Sequence, residues 1–254
     1  MPNRVMTRWG AAGVHLALTF LVATTVFAII FFVWYPGVLF ESAGGRTLFM
    51  LIACVDVTIG PLLTGVVFKP GKKSLVFDLA VIAALQVAAL AYGAWVLFES
   101  RPAYIVFTRD RFDLVRANEL NVMRGSSPVP NAYAKAPLGG PMRVGTKLPK
   151  DPDQQYRLLV SSAAGQDVQS YPQYYVSYDE VRGQVVAHAE PIAKLRSLNP
   201  QSGAEIDRVV AQSGKPEQAL GFVPMRAGKA DLAVLVDRQR GDIVDIANLR
   251  PWEY

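Results

Sequence analysis

Apolar residues run almost unbroken through residues 12–34, 47–68 and 75–98, after which the chain changes to short, mixed stretches. Each run is close to the ~20 residues that an α-helix needs to cross a ~30 Å hydrocarbon core. The pattern therefore predicts three transmembrane helices within residues 1–98. Arg4 and Arg8 precede the first run as they would in a signal peptide. That run is longer than the usual ~7–15 residue apolar region of such a peptide, and no small-x-small cleavage signal follows Trp34. A retained span is expected.

Residues 99–254 read as one α+β domain. Residues 104–107 and 112–116 flank the polar stretch 108–111, which is a hairpin signal. Residues 125–152 are rich in proline and glycine without periodicity and are expected to form a long loop. Helices are expected from the Asp151-Pro152 pair toward Gly165, over residues 191–198, and over 204–212, where Ile206, Val209 and Val210 share a face. Residues 222–225, 231–237 and 243–246 return to strand, with a turn at 238–241. Strands at both ends with helices between them indicate an α+β fold.

Charge supplies the orientation. Arg4 and Arg8 lie before the first span and Lys69, Lys72 and Lys73 lie between the second and third, whereas the other short loop holds Glu41 and Arg46. Positive loops stay inside, so the N-terminus is expected in the cytoplasm and the domain after residue 98 in the periplasm of a bacterial inner membrane. Trp9, Trp34, Tyr35 and Trp95 lie near span ends, where an aromatic belt would sit. Residues 99–254 hold 20 Lys and Arg against 18 Asp and Glu, a net of +2. That balance carries no footprint for nucleic acid. The single cysteine, Cys54, lies inside the second span, so no disulfide forms within the chain.

One carboxylate sits where lipid should be. Asp56 is nine residues from the outer end of the second run, roughly 13 Å deep at ~1.5 Å per residue. A mid-membrane acid costs about 2.5–3.5 kcal/mol on insertion scales, so it should face protein or water. Thr24 and Thr25 on the first span and Gln86 on the third fall near the same depth, which predicts a polar layer of Thr24, Thr25, Asp56 and Gln86. Pro61 has no N–H to give the Val57 carbonyl and should kink the helix beside Asp56, with Thr58 or Gln86 satisfying the freed carbonyl. The layer is open to three roles: hydrogen-bond glue of the bundle, a docking site for a partner's transmembrane helix, or a proton relay. Asp78, one turn into the third span, is expected to anchor the cytoplasmic interface with Lys72, Lys73 or His15.

Catalytic signatures are missing from the sequence. It has two histidines, His15 and His188, and no H-E-x-x-H, C-x-x-C, G-x-S-x-G or phosphate-binding glycine loop. The acid pairs Asp151/Asp153 and Asp179-Glu180 read as ordinary helix-start or turn carboxylates. No enzyme, cofactor or metal site is expected.

The stretch "DVTIGPLLTGVVFKPGKKSLVFDLAVIAALQVAALAYG", together with "RPAYIVFTRDRFDLV" and the terminal "LAVLVDRQRGDIVDIANLRPW", resembles the TfpX/TfpZ type IV pilin accessory family. Asp56, Gly60, Pro61, Lys72, Lys73, Asp78, Gln86, Tyr92, Gly93, Arg101, Pro102 and the Arg250-Pro251-Trp252 end carry the likeness. The resemblance implies an inner-membrane protein that assists type IV pilin handling, pilus assembly or pilus dynamics, with pilin and the bilayer as partners. It brings no catalytic residues. A membrane sensor or assembly subunit, whose outer domain binds a ligand and signals through a partner, is the alternative, and the oligomeric state stays open.

Overall fold

The computed structural model of the chain describes residues 7–121, 132–228 and 230–253. The chain divides into two compact units, Met1–Ser100 and Arg101–Tyr254.

In the first unit, α1 (Arg8–Ile29) begins at Thr7, whose hydroxyl accepts the Gly10 N–H at 3.1 Å, and runs into a π-helical segment, Ile30–Trp34. A short α2 (Leu39–Ser42) turns the chain into α3 (Gly45–Cys54), a second π-helical segment (Val55–Ile59) and α4 (Gly60–Val67). After a loop comes α5 (Leu75–Glu99). The helical stretches Arg8–Trp34, Gly45–Val67 and Leu75–Glu99 are each long and apolar enough to cross a membrane. Their outer faces are apolar and open, with Val66 at 76% and Val76 at 81% exposure. Lipid tails are as apolar as leucine, so nothing drives such side chains inward and the helices hold together by close packing.

Small residues permit that packing. A methyl group at Gly60 would overlap the Gln86 amide, one at Gly93 would overlap Ile52, and Gly65 lies against the Ala12 methyl. The second span thus carries α1 on one side and α5 on another. Tyr35, expected in the aromatic belt, is instead buried. Its hydroxyl donates to the Leu97 carbonyl at 2.9 Å and bonds the Ser100 hydroxyl at 3.1 Å, capping the last turn of α5. Trp9 and Trp95 remain outward-facing.

The second unit is an α+β fold around an eight-stranded sheet. The hairpin forms from β1 (Pro102–Thr108) and β2 (Arg111–Arg116), and Arg109 takes a positive φ in its turn. Next come β3 (Met142–Thr146), α6 (Pro152–Ala163), β4 (Tyr175–Ser177), α7 (Tyr178–Ala187), β5 (Glu190–Pro191), α8 (Ile192–Leu198) and α9 (Gly203–Gln212). The chain closes with β6 (Leu220–Ala227), β7 (Ala230–Asp237) and β8 (Ile243–Ala247). The strand order is β4-β3-β1-β2-β6-β7-β8, with β5 pairing β6 beside β2. Only Phe112↔Met225 and Asp113↔Arg226 register β2 on β6, and this short parallel joint makes one sheet of the two ends of the domain. Ile192, Leu195 and Leu198 of α8 and Ile206 and Val209 of α9 cover Leu220, Phe222 and Leu235.

The loop expectation for residues 125–152 needs correction in its second half; residues 125–131 lie outside the described residues. β3 sits between β1 and β4 inside that stretch. Its pattern hides it: Val144 is buried, and Gly145 is needed because a methyl there would overlap Val181 of α7. α7 itself begins at Ser177, whose hydroxyl accepts the Asp179 N–H at 3.4 Å, so Asp179 and Glu180 are first-turn carboxylates. Asp151 caps α6 by accepting the Asp153 N–H at 3.1 Å.

Candidate functional site

Asp56 lies in the π-helical segment, 4% exposed. In a π turn the carbonyl of residue i accepts from residue i+5; for Asp56 that residue is Pro61, which has no N–H to give. The orphan carbonyl is filled from another helix. Gln86 Nε2 donates to the Asp56 backbone oxygen at 3.0 Å. The widened turn, the proline and the glutamine are one device, and Gly60 lets the glutamine approach. Val57 was the carbonyl expected to be freed; the π register moves the vacancy to Asp56, one residue earlier.

The rest of the expected polar layer is arranged differently. The Thr24 hydroxyl donates to the Phe20 carbonyl at 2.8 Å and the Thr25 hydroxyl to Leu21 at 3.0 Å, both on their own helix and both exposed. A threonine with a free carbonyl one turn back satisfies itself locally. In their place the first span brings His15 and Thr19. His15 Nδ1 lies 2.6 Å from the hydroxyl of buried Thr64 on α4, and the Thr19 hydroxyl donates to the His15 carbonyl at 3.0 Å. His15 had been expected at the interfacial level with Asp78. A histidine four residues before Thr19 was the available signal: i and i+4 lie on one face.

A cavity of about 190 Å³ opens beside these groups, lined by His15, Leu18, Thr19 and Val22 of α1, Asp56, and Ala83, Gln86, Val87 and Leu90 of α5. Two polar atoms buried there, Asp56 Oδ1 and Gln86 Oε1, have no hydrogen-bond partner among the described residues.

Near the end of the span, Lys72 Nζ lies 2.5 Å from Asp78 Oδ2, and the Ser74 hydroxyl donates to the same oxygen at 3.1 Å. Lys73 is exposed beside them.

A family model described as Fimbrial assembly protein FimB matches residues 3–37. The chain is 25% identical over 231 residues to the fimbrial assembly protein of serogroup E1 from Dichelobacter nodosus, covering 89% of this chain and 90% of the relative. It is 34% identical over 111 residues to the fimbrial assembly protein of serogroups C1 and C2 from Dichelobacter nodosus, covering 43% of this chain and 85% of that relative. The chain belongs to the fimbrial assembly protein family. No solved structure matches it.

Within this fimbrial assembly family member, the soluble unit treats buried acids in another way. Asp237 accepts from the Gln239 N–H at 2.7 Å and the Arg240 N–H at 2.9 Å and is ion-paired with Lys215. The lysine and then these backbone donors hold its carboxyl down to about 2. Burial pushes the Asp113 carboxyl up, against the Thr108 hydroxyl that donates to it at 2.5 Å and the nearby Arg111 guanidinium. His188 is exposed, its Nδ1 2.8 Å from the Gln184 carbonyl, on a cleft of about 550 Å³ shared with Glu190, Lys194 and Trp252. Glu190 of β5 and Lys194 of α8 pair at 2.9 Å. No group of three or more His, Cys, Asp or Glu residues able to hold a metal occurs among the described residues.

Proposed function

We propose that the chain is a non-enzymatic inner-membrane accessory of type IV pili that binds pilin and assists its handling, assembly or dynamics, in the manner implied by its resemblance to the TfpX/TfpZ accessory proteins. One observation carries the reading: a chain of the fimbrial assembly family combines three membrane-length helices with a separate α+β unit. A protein built that way can meet a membrane-anchored partner both in the bilayer and outside it. The basic flanks support an N-terminus in the cytoplasm and a soluble unit in the periplasm.

Purifying the tagged full chain in mild detergent from piliated cells tests this directly. Pilin is expected in the eluate, and surface pili should fall several-fold when the chain is deleted. Normal piliation in the deletion strain, with no pilin in the eluate, would sink the proposal. Fusion reporters after residues 73 and 254 check orientation: a cytoplasmic signal at the first and a periplasmic one at the second are expected.

A further inference from the structure

The cavity beside Asp56 is an open groove at the middle of the spans. α1 and α5 both pack against the second span, and the groove between them is floored by Asp56. Its rims are apolar and exposed, with Leu18 at 59% and Val87 at 67%. From His15 to Val22 and from Ala83 to Leu90 the rims run roughly 10 Å at ~1.5 Å per residue, two helical turns.

The two unpartnered polar atoms beside the groove are of one kind. Gln86 donates one amide N–H to the Asp56 backbone oxygen, while its Oε1 and Asp56 Oδ1 are buried oxygens without a donor among the described residues. In hydrocarbon such atoms have no water to fall back on. Lipid tails carry no donor. The first span of a second copy is a poor source, because the hydroxyls of Thr19, Thr24 and Thr25 are already committed to carbonyls of their own helix.

From this geometry we propose that the groove receives a transmembrane helix of a partner protein, which presents a hydroxyl or amino donor to Asp56 Oδ1 and Gln86 Oε1 while its apolar side chains seat on Leu18, Val22, Val87 and Leu90. The proposal rests on the pilin-binding reading above and names the part of the chain that performs it. Specificity comes from the donor, since an all-apolar helix would leave both acceptors unpaired.

The test uses the full chain in native membranes with a photo-crosslinking residue placed at Val22 or Val87, at Val66 and Val76 as controls, and at Lys194 in the soluble unit. Pilin captured at Val22 and Val87 at least fivefold above the two controls, with the crosslinked peptide within one turn of a donor-bearing residue, is the expected result. Yield per chain should fall about tenfold in the double variant Asp56→Val, Gln86→Leu and stay within twofold in Asp56→Asn, which keeps an acceptor oxygen. Normalising to the chain present in the membrane separates lost capture from lost folding. Crosslinks to lipid or to a second copy alone, or pilin capture indifferent to removal of both acceptors, overturn the proposal. Capture from Lys194 without capture from the groove overturns the groove and leaves the proposed function standing; capture from neither overturns both.

Discussion

Asp56 and Asp237 are both buried carboxylates, at 4% and 5% exposure, and the two units treat them in opposite ways. Asp237 is surrounded by three donors and fastens the turn between β7 and β8. Asp56 keeps an oxygen with no partner among the described residues, inside a bundle that has few donors to offer. In water-facing protein a buried charge persists when it is fully paired. Within a bilayer the same group is expensive unless something arrives to meet it. The soluble unit uses its acid for its own architecture, and the membrane unit leaves one buried beside a groove with an oxygen unpartnered among the described residues.

The sharpest way to break this contrast is to damage each unit at its tightest point. Phe222→Ala empties the space under α8 and α9 and should destabilise the soluble unit by about 3–5 kcal/mol, read by hydrogen exchange of β6 and β7 peptides. Peptides from α1 and α5 should be unchanged if the units are energetically separate. Gly60→Val drives a side chain into the Gln86 amide, and overpacking of this kind costs about 1–3 kcal/mol. The expected sign is lower abundance of full-length chain in the membrane, partly rescued by Gln86→Ala, which removes the obstruction.

Asp237→Ala should cost about 2 kcal/mol, because hydrogen bonds to a charged acceptor are worth about 1.5–3 kcal/mol. The pH dependence follows from its depressed carboxyl. The stabilisation is present above the ordinary value of 3.8 and is lost as pH falls toward about 2. Protection of β7–β8 amides should therefore decline between about pH 4 and 2 in the native chain, with the corresponding part of that decline absent in Asp237→Ala. The smallest effect is expected at the membrane edge. Lys72→Ala removes a partly exposed ion pair with Asp78 and should leave the thermal unfolding midpoint essentially unchanged, while the loss of one positive charge from the loop is read by the residue-73 reporter.

Periodicity and turn chemistry revealed the three apolar helices, the hairpin of β1 and β2, helices α6, α8 and α9, and the last three strands, because each is announced locally. β3 was invisible because its one buried apolar residue and its glycine acquire meaning only from β1, β4 and Val181. α7 was equally hard to read, its Asp179-Glu180 start being ambiguous between helix and turn. At the candidate site, Asp56, Pro61 and Gln86 stood out as misfits in apolar spans. Depth alone selected Thr24 and Thr25, whereas the rotation of α1 brings His15 and Thr19 to the groove.

What the sequence by itself determined is the division of the molecule: hydrophobic length sets the number of membrane-length helices, and the short alternating pattern sets an α+β unit after them. Tertiary structure alone decided which polar atoms meet. The π turn shifts the orphan carbonyl to Asp56, Gly60 admits Gln86 to it, and the pairing of β2 with β6 over two residues joins the two parts of the sheet. Those outcomes depend on helix rotation and strand register between segments far apart in the chain, which no local pattern encodes.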